Sequence, residues 1–131
     1  MSFDESEAVN TSAVADFFSS SLYARINSAD SVRREMNFLS EFPASFIHKE
    51  LDDKFSDEKI IVQGAVDLLF IEDDEIVIVD FKTDRNKDEA ELKDAYAEQL
   101  RIYGLAAEAL LKKKLRGLVI YSFELGKEIV L

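Results

Sequence analysis

Asp67, Asp80 and Lys82 are the residues whose types and spacing could do chemistry. They lie in two apolar runs, Gly64-Ala65-Val66-Asp67-Leu68-Leu69-Phe70 and Ile76-Val77-Ile78-Val79-Asp80-Phe81-Lys82-Thr83, separated by Glu72-Asp73-Asp74-Glu75. A turn centred on Asp73 and Asp74 makes the runs a hairpin, with Ile71 opposite Ile76, Leu69 opposite Ile78 and Asp67 opposite Asp80. Strand alternation then puts Ile78, Asp80 and Lys82 on one face, with Lys82 beside Ala65 and diagonal to Asp67.

Two carboxylates facing each other cost roughly 0.2–1 kcal/mol in water, and more where Val, Leu, Ile and Phe exclude it. A divalent cation offsets that cost most directly, because carboxylate oxygens are the ligands Mg²⁺ and Mn²⁺ prefer. With a lysine alongside, the set suits phosphodiester hydrolysis: the metal activates water, and the ammonium positions that water or neutralises the transition state. An isolated Asp-x-Lys tripeptide is commonly just a solvated strand end. The second aspartate, in the one position that faces the first, favours the metal reading.

The elements that must position this hairpin are legible from pattern. Residues 1–10 are acidic and aperiodic, and read as a frayed end or one added by cloning. Thr11 or Ser12 caps a helix predicted to run to about Ala29, with Val14, Phe17, Phe18, Leu22 and Ile26 on its apolar face. A strand over Val32 to Phe42 follows, ended by Pro43, and 44–59 is a polar connection. Asp88 with Glu91 forms a capping-box pattern opening a helix to about Lys114, whose stripe is Tyr96, Gln99, Leu100, Tyr103, Ala107, Leu110 and Leu111. Lys112, Lys113 and Lys114 suit the negative end of that helix. Leu118 to Phe123 reads as a strand, and Gly126 turns the chain into a last strand over Glu128 to Leu131.

The order αβββαβ, with a terminal strand added, gives an α/β (α+β) fold: a mixed sheet flanked by helices. Gln99, Tyr96 and Tyr103 would ordinarily be core-edge residues. Their place behind the Asp, Asp, Lys hairpin makes them site candidates.

The ordered set Gly64-x-x-Asp67, Val79-Asp80-Phe81-Lys82-Thr83-Asp84 and Tyr96-x-x-Gln99-Leu100-x-x-Tyr103 resembles the PD-(D/E)xK nuclease superfamily. It is most similar to the C-terminal nuclease domain of the AddA and RecB subunits of bacterial helicase-nucleases, and the fold it implies is restriction-endonuclease-like. Arg34-Glu35-Met36-Asn37-Phe38 is similar to the glutamate-bearing strand that precedes the hairpin there. The resemblance covers about the last hundred residues. It implies that Asp67 and Asp80 ligate Mg²⁺, with Mn²⁺ as a substitute, that the Phe81 backbone carbonyl is a further ligand, and that Lys82 is the catalytic lysine. Glu35 matches the upstream acidic position. Gln99 and Tyr103 match an element that supports the site or touches DNA. The family's upstream helical histidine has no counterpart, because the single histidine, His48, follows the Glu35 strand. The chain is therefore read as a fragment of a longer polypeptide or as a trimmed relative, with residues 11–131 as the nuclease domain.

At 131 residues with 47% hydrophobic and 33% charged residues, the chain is one globular domain. It has no cysteine, hence no disulfide framework and no thiolate zinc site. It shows no membrane-length apolar run and no signal-peptide pattern, so cytoplasm is the expected compartment. A formal charge of −11 disfavours tight DNA binding by this domain alone. The expected partners are DNA, the rest of a parent helicase-nuclease chain and a partner subunit that threads the strand. The implied activity is a metal-dependent deoxyribonuclease, an exonuclease acting on unwound DNA in double-strand-break repair. The alternative is a nuclease-fold module without catalysis, serving as a docking or DNA-positioning surface. A restriction-type endonuclease would need a basic DNA-reading surface that the sequence lacks.

Overall fold

The computed structural model describes residues 11–44 and 58–131. Its elements are α1 (Thr11–Phe18), α2 (Ser21–Ser28), β1 (Ser31–Pro43), β2 (Lys59–Glu72), β3 (Glu75–Lys82), α3 (Glu89–Leu111), β4 (Leu115–Ser122) and β5 (Lys127–Val130). The strands form one sheet in the order β1-β2-β3-β4-β5, antiparallel at every junction except β3–β4. That junction is parallel because α3 is the crossover, the connection a parallel pair requires. The architecture is the mixed sheet with flanking helices expected from the sequence.

The single helix predicted from Thr11 to Ala29 is two. Ser20 is extended (φ −79°, ψ 158°), and its hydroxyl accepts the Tyr23 amide at 3.1 Å, so it caps α2 and ends the run through α1. Phe17, Leu22 and Ile26 remain on a common buried face, joining Leu68, Phe70, Val77 and Val79 on one side of the sheet. Phe18 does not share that burial, being 52% exposed. The other side, under α3, is packed by Val66, Leu69, Ile71, Ile76, Ile78, Leu92, Leu100, Ala106 and Ile120.

The capping box at α3 is present in both directions: Glu91 N–H donates to Asp88 at 2.9 Å, and Asp88 N–H donates to the Glu91 carboxylate at 3.1 Å. The helix ends at Leu111 rather than Lys114, because Lys112 takes a left-handed C-cap (φ 55°). β4 therefore begins at Leu115, earlier than predicted, and β5 runs Lys127–Val130 rather than from Glu128 to Leu131. Within α3 the predicted stripe holds for Leu100 and Ala107, and for Tyr96, Tyr103 and Leu111, which pack half-buried against the same core. Gln99 and Leu110 instead face solvent, and Leu92, Gly104 and Ala106 are buried in their place. β1 is an edge strand, so Pro43, paired with Lys59, is accommodated as its last residue. Residues 1–10, His48 and most of the connection expected over 44–59 fall outside the described residues.

Candidate functional site

The site is set by a turn six residues away from it. Asp73 (φ 53°) and Asp74 (φ 64°) both adopt the left-handed backbone of a type I′ hairpin. Arg116 holds the turn's flanks, at 3.2 Å from Glu72 and 3.1 Å from Glu75, and Arg25 of α2 grips Glu72 through two hydrogen bonds of 2.9 and 3.1 Å. The register is the expected one: Ile71↔Ile76, Leu69↔Ile78, and a last rung at Leu68↔Val79. The next position places Asp67 across from Asp80.

There the ladder stops and side-chain chemistry begins. The Phe81 amide donates to Asp67 Oδ2 at 2.9 Å, so β3 is tied to a carboxylate rather than to a strand carbonyl. Asp80 is mostly buried, with 14% side-chain exposure, and its Oδ2 lies 2.9 Å from Lys82 Nζ. Burial first, and the neighbouring Asp67 carboxyl second, push the Asp80 carboxyl up to about 6; Lys82 pulls the other way without prevailing.

Lys82 is fixed from a second side. Its Nζ stands 3.9 Å from the centre of the Tyr96 ring, within cation–π range. The Tyr96 hydroxyl donates to Asp84 at 2.7 Å, and Lys87 pairs with the same carboxylate at 3.0 Å. The Tyr96 hydrogen bond, together with Lys87 and Lys82, lowers the Asp84 carboxyl, while the phenol of Tyr96 is pushed up to about 12. Asp84, to which the sequence pattern gave no role, thus orients Tyr96 and through it Lys82. Its only signal was its place at the end of the Asp-Phe-Lys-Thr-Asp run.

Tyr103 and Gln99 stand further along β2. A β-carbon on Gly64 would lie 2.6 Å from the Tyr103 hydroxyl oxygen and 2.7 Å from two ring carbons, so the ring lies flat on a position only glycine can hold. Tyr103 also packs edge-on against Phe38, at 5.1 Å between centroids, and Gln99 donates to its hydroxyl at 3.1 Å. Exposed Gln99 is therefore joined to Tyr103, not to Asp67, Asp80 or Lys82.

Glu35 is brought to the same level by register. β1 pairs Arg34↔Leu68 and Met36↔Val66, which sets Glu35 across from Asp67, yet that rung is skipped and Glu35 has a left-handed φ of 49°. The same place marks a change of parity in β2. Val62 and Val66 face α3 on one side of Asp67, and Leu69 and Ile71 face it on the other. Uniform alternation cannot do that, so both strands are kinked where Glu35 meets Asp67, as bulges re-aim side chains beside sites. On the side of the sheet away from α3, Glu35 and Asp67 help wall a cavity of about 390 Å³, together with Phe17, Phe18, Tyr23 and Phe81.

Asp67 and Asp80 are the residues that could hold a divalent cation. Their oxygens are hard donors, and burial together with the neighbouring Asp67 raises the Asp80 carboxyl, a crowding of negative charge that a cation would offset. Among the described residues no group of three acidic or imidazole side chains converges as a ready metal cage, so the two aspartates need a backbone or solvent ligand beside them.

This fold is matched by sequence comparison. The pattern of the PD-(D/E)XK nuclease superfamily fits residues 4–128, and the chain belongs to that superfamily. It is similar to an ATP-dependent helicase/nuclease subunit of Ligilactobacillus salivarius, at 36% identity over 94% of this chain, and to the corresponding protein of Clostridium botulinum strain Hall, at 34% over 98%. In each case it spans 10% of the relative's length. Among the described residues no helix is long and apolar enough to cross a membrane.

Proposed function

We propose that this chain is the Mg²⁺-dependent DNA exonuclease domain of an AddA/RecB-type helicase-nuclease, cutting strands unwound by the attached motor during double-strand-break repair. One observation carries the reading: a mostly buried Asp80, across from Asp67, with the Lys82 ammonium 2.9 Å from its carboxylate. Asp67, Asp80 and the Phe81 carbonyl would hold the cation, of which one or two bind. When bound, the cation supplies a Lewis acid that activates water and offsets charge on the phosphoryl oxygens during in-line attack.

The chain's own residues do the rest. Lys82, held between Asp80 and the Tyr96 ring, presents its ammonium where charge builds on phosphate. With Asp80 serving as a ligand, the Tyr96 ring would keep Lys82 over the site. Glu35 tunes the acidic end of the pair, and Gln99 and Tyr103 brace β2 and the flank on which DNA would run. The surplus negative charge fits a domain that receives its strand from neighbouring domains and a partner subunit.

The test is cleavage of single-stranded DNA by the complete helicase-nuclease carrying Asp80→Ala or Lys82→Ala. Both variants are expected to keep ATPase and unwinding activity and to lose cleavage. Retained cleavage in either would overturn the assignment and leave the domain as a docking or DNA-positioning surface.

A further inference from the structure

The loop between β3 and α3 reverses the charge balance of the chain around it. At the other end of β3 acids are in excess: Glu72, Asp73, Asp74 and Glu75 are met by Arg25, Lys113 and Arg116. From Lys82 to Lys87 the only acid is Asp84, against Lys82, Arg85 and Lys87. Its carboxyl is held below the usual range by the Tyr96 hydroxyl first, then by Lys87 and by Lys82, so one negative charge serves two ammonium groups.

The geometry of those two ammoniums is fixed. Asn86 takes the left-handed backbone (φ 61°) in the turn that brings Lys87 back over Asp84, with Nζ 3.0 Å from Oδ2. The same oxygen accepts the Tyr96 hydroxyl at 2.7 Å, and the face of the Tyr96 ring carries Lys82 Nζ at 3.9 Å from its centre. Lys82 and Lys87 therefore stand at the face and at the hydroxyl end of one phenol. An ammonium has three N–H donors, of which Asp84 takes one, and the Lys87 side chain is 39% exposed, which leaves donors for an anion.

We propose that Lys87 binds the phosphate adjacent to the one being cut, with Asp84 holding it one phenol away from Lys82. The ligand rests on the nuclease reading; the place rests on the shared Asp84 oxygen. Such a contact positions a strand without reading its bases. The formal charge of −11 does not forbid it, because exposed charges farther off than about 8–10 Å are largely screened at physiological salt and the local balance is positive. Lys87 does not touch the reacting atoms, so its part is in affinity.

The test titrates the 131-residue chain, in Ca²⁺, with the trinucleotide TpTpT over a range of NaCl concentrations, followed by lysine side-chain NMR and by affinity. The strand is expected to shift the Lys82 and Lys87 signals. Lys87→Gln is expected to bind about ten-fold more weakly, as for the loss of one charge-assisted hydrogen bond, and to lower the salt slope by about one, with Lys87→Arg restoring both. Lys113→Gln, which removes the same charge beside Asp74 at the hairpin turn, is expected to change neither. With one linkage of the trinucleotide made a neutral methylphosphonate, wild type is expected to lose the same factor and Lys87→Gln nothing further. A Lys87 signal that stays still, or a Lys87→Gln chain that binds no more weakly than Lys113→Gln, would overturn the inference. Cleavage by the complete helicase-nuclease carrying Lys82→Ala reports on the nuclease reading by itself: lost cleavage leaves that reading standing whatever Lys87 does, and retained cleavage removes it together with this inference.

Discussion

Asp80→Asn is expected to make the cation-free chain more stable. The fold holds the Asp80 carboxyl at about 6, well above its ordinary 3.8, because ionising it costs burial energy and repulsion from Asp67. At about 1.4 kcal/mol for each pH unit of that difference, the ionised form costs the native state about 3 kcal/mol at neutral pH. Asparagine removes the charge and keeps the shape. Lys82 loses its 2.9 Å partner but keeps the Tyr96 ring and partial solvent access, and its pull on Asp80 is already contained in that shift. The net gain is therefore about 2–3 kcal/mol.

The sign with pH follows from the direction of the shift. A carboxyl whose folded pKa is raised binds its proton more tightly in the native state, so wild-type stability falls as pH rises from about 4 to about 6. The variant lacks that loss. Urea unfolding in EDTA is therefore expected to show the variant more stable at pH 8, with the gap closing toward pH 4. Added Mg²⁺ is expected to restore the wild type and leave the variant where it was. A variant less stable than wild type at pH 8 in EDTA, or a gap that ignores pH, would refute the reasoning.

Two further substitutions test the kink and the motif glycine. At Glu35, with its φ of 49°, Gly is expected to be more stable than Ala by about 1 kcal/mol, inverting the order at ordinary strand positions; chemical denaturation of the two variants reads it directly. Gly64→Ala is expected to cost about 1–3 kcal/mol by pushing the Tyr103 ring off β2, and Tyr103→Ala in the same chain is expected to recover part of that loss, as a double-mutant cycle would show.

The hairpin was legible because local chemistry specifies it: two acidic residues tolerant of the left-handed region fix a two-residue turn, and the turn fixes every pairing up to Leu68↔Val79. The Asp88–Glu91 box was legible for the same reason, being written within four residues. What escaped were features decided by context. The break at Ser20 sits in a serine run that does not interrupt the apolar stripe, so periodicity carries the helix straight through it. The exposure of Gln99 depends on which way α3 is rotated on the sheet, which packing of Leu92 and Gly104 settles and a stripe of residues does not. The kink at Glu35 and Asp67 was invisible because a pattern read by alternation assumes an unbroken alternation. The cavity goes with it, since its walls come from α1, α2, β1, β2 and β3 together.

The turn at Asp73 and Asp74 acts in time as well as in space. Because Asp67, Asp80 and Lys82 all belong to one hairpin, they meet as soon as it closes, an event of microseconds, before α3 can carry β4 across to β3. The repulsion between the aspartates is then encountered on the way to the transition state and not only after it. A divalent cation in the refolding buffer would accordingly quicken folding itself, where an ordinary ligand of the finished site would merely slow unfolding.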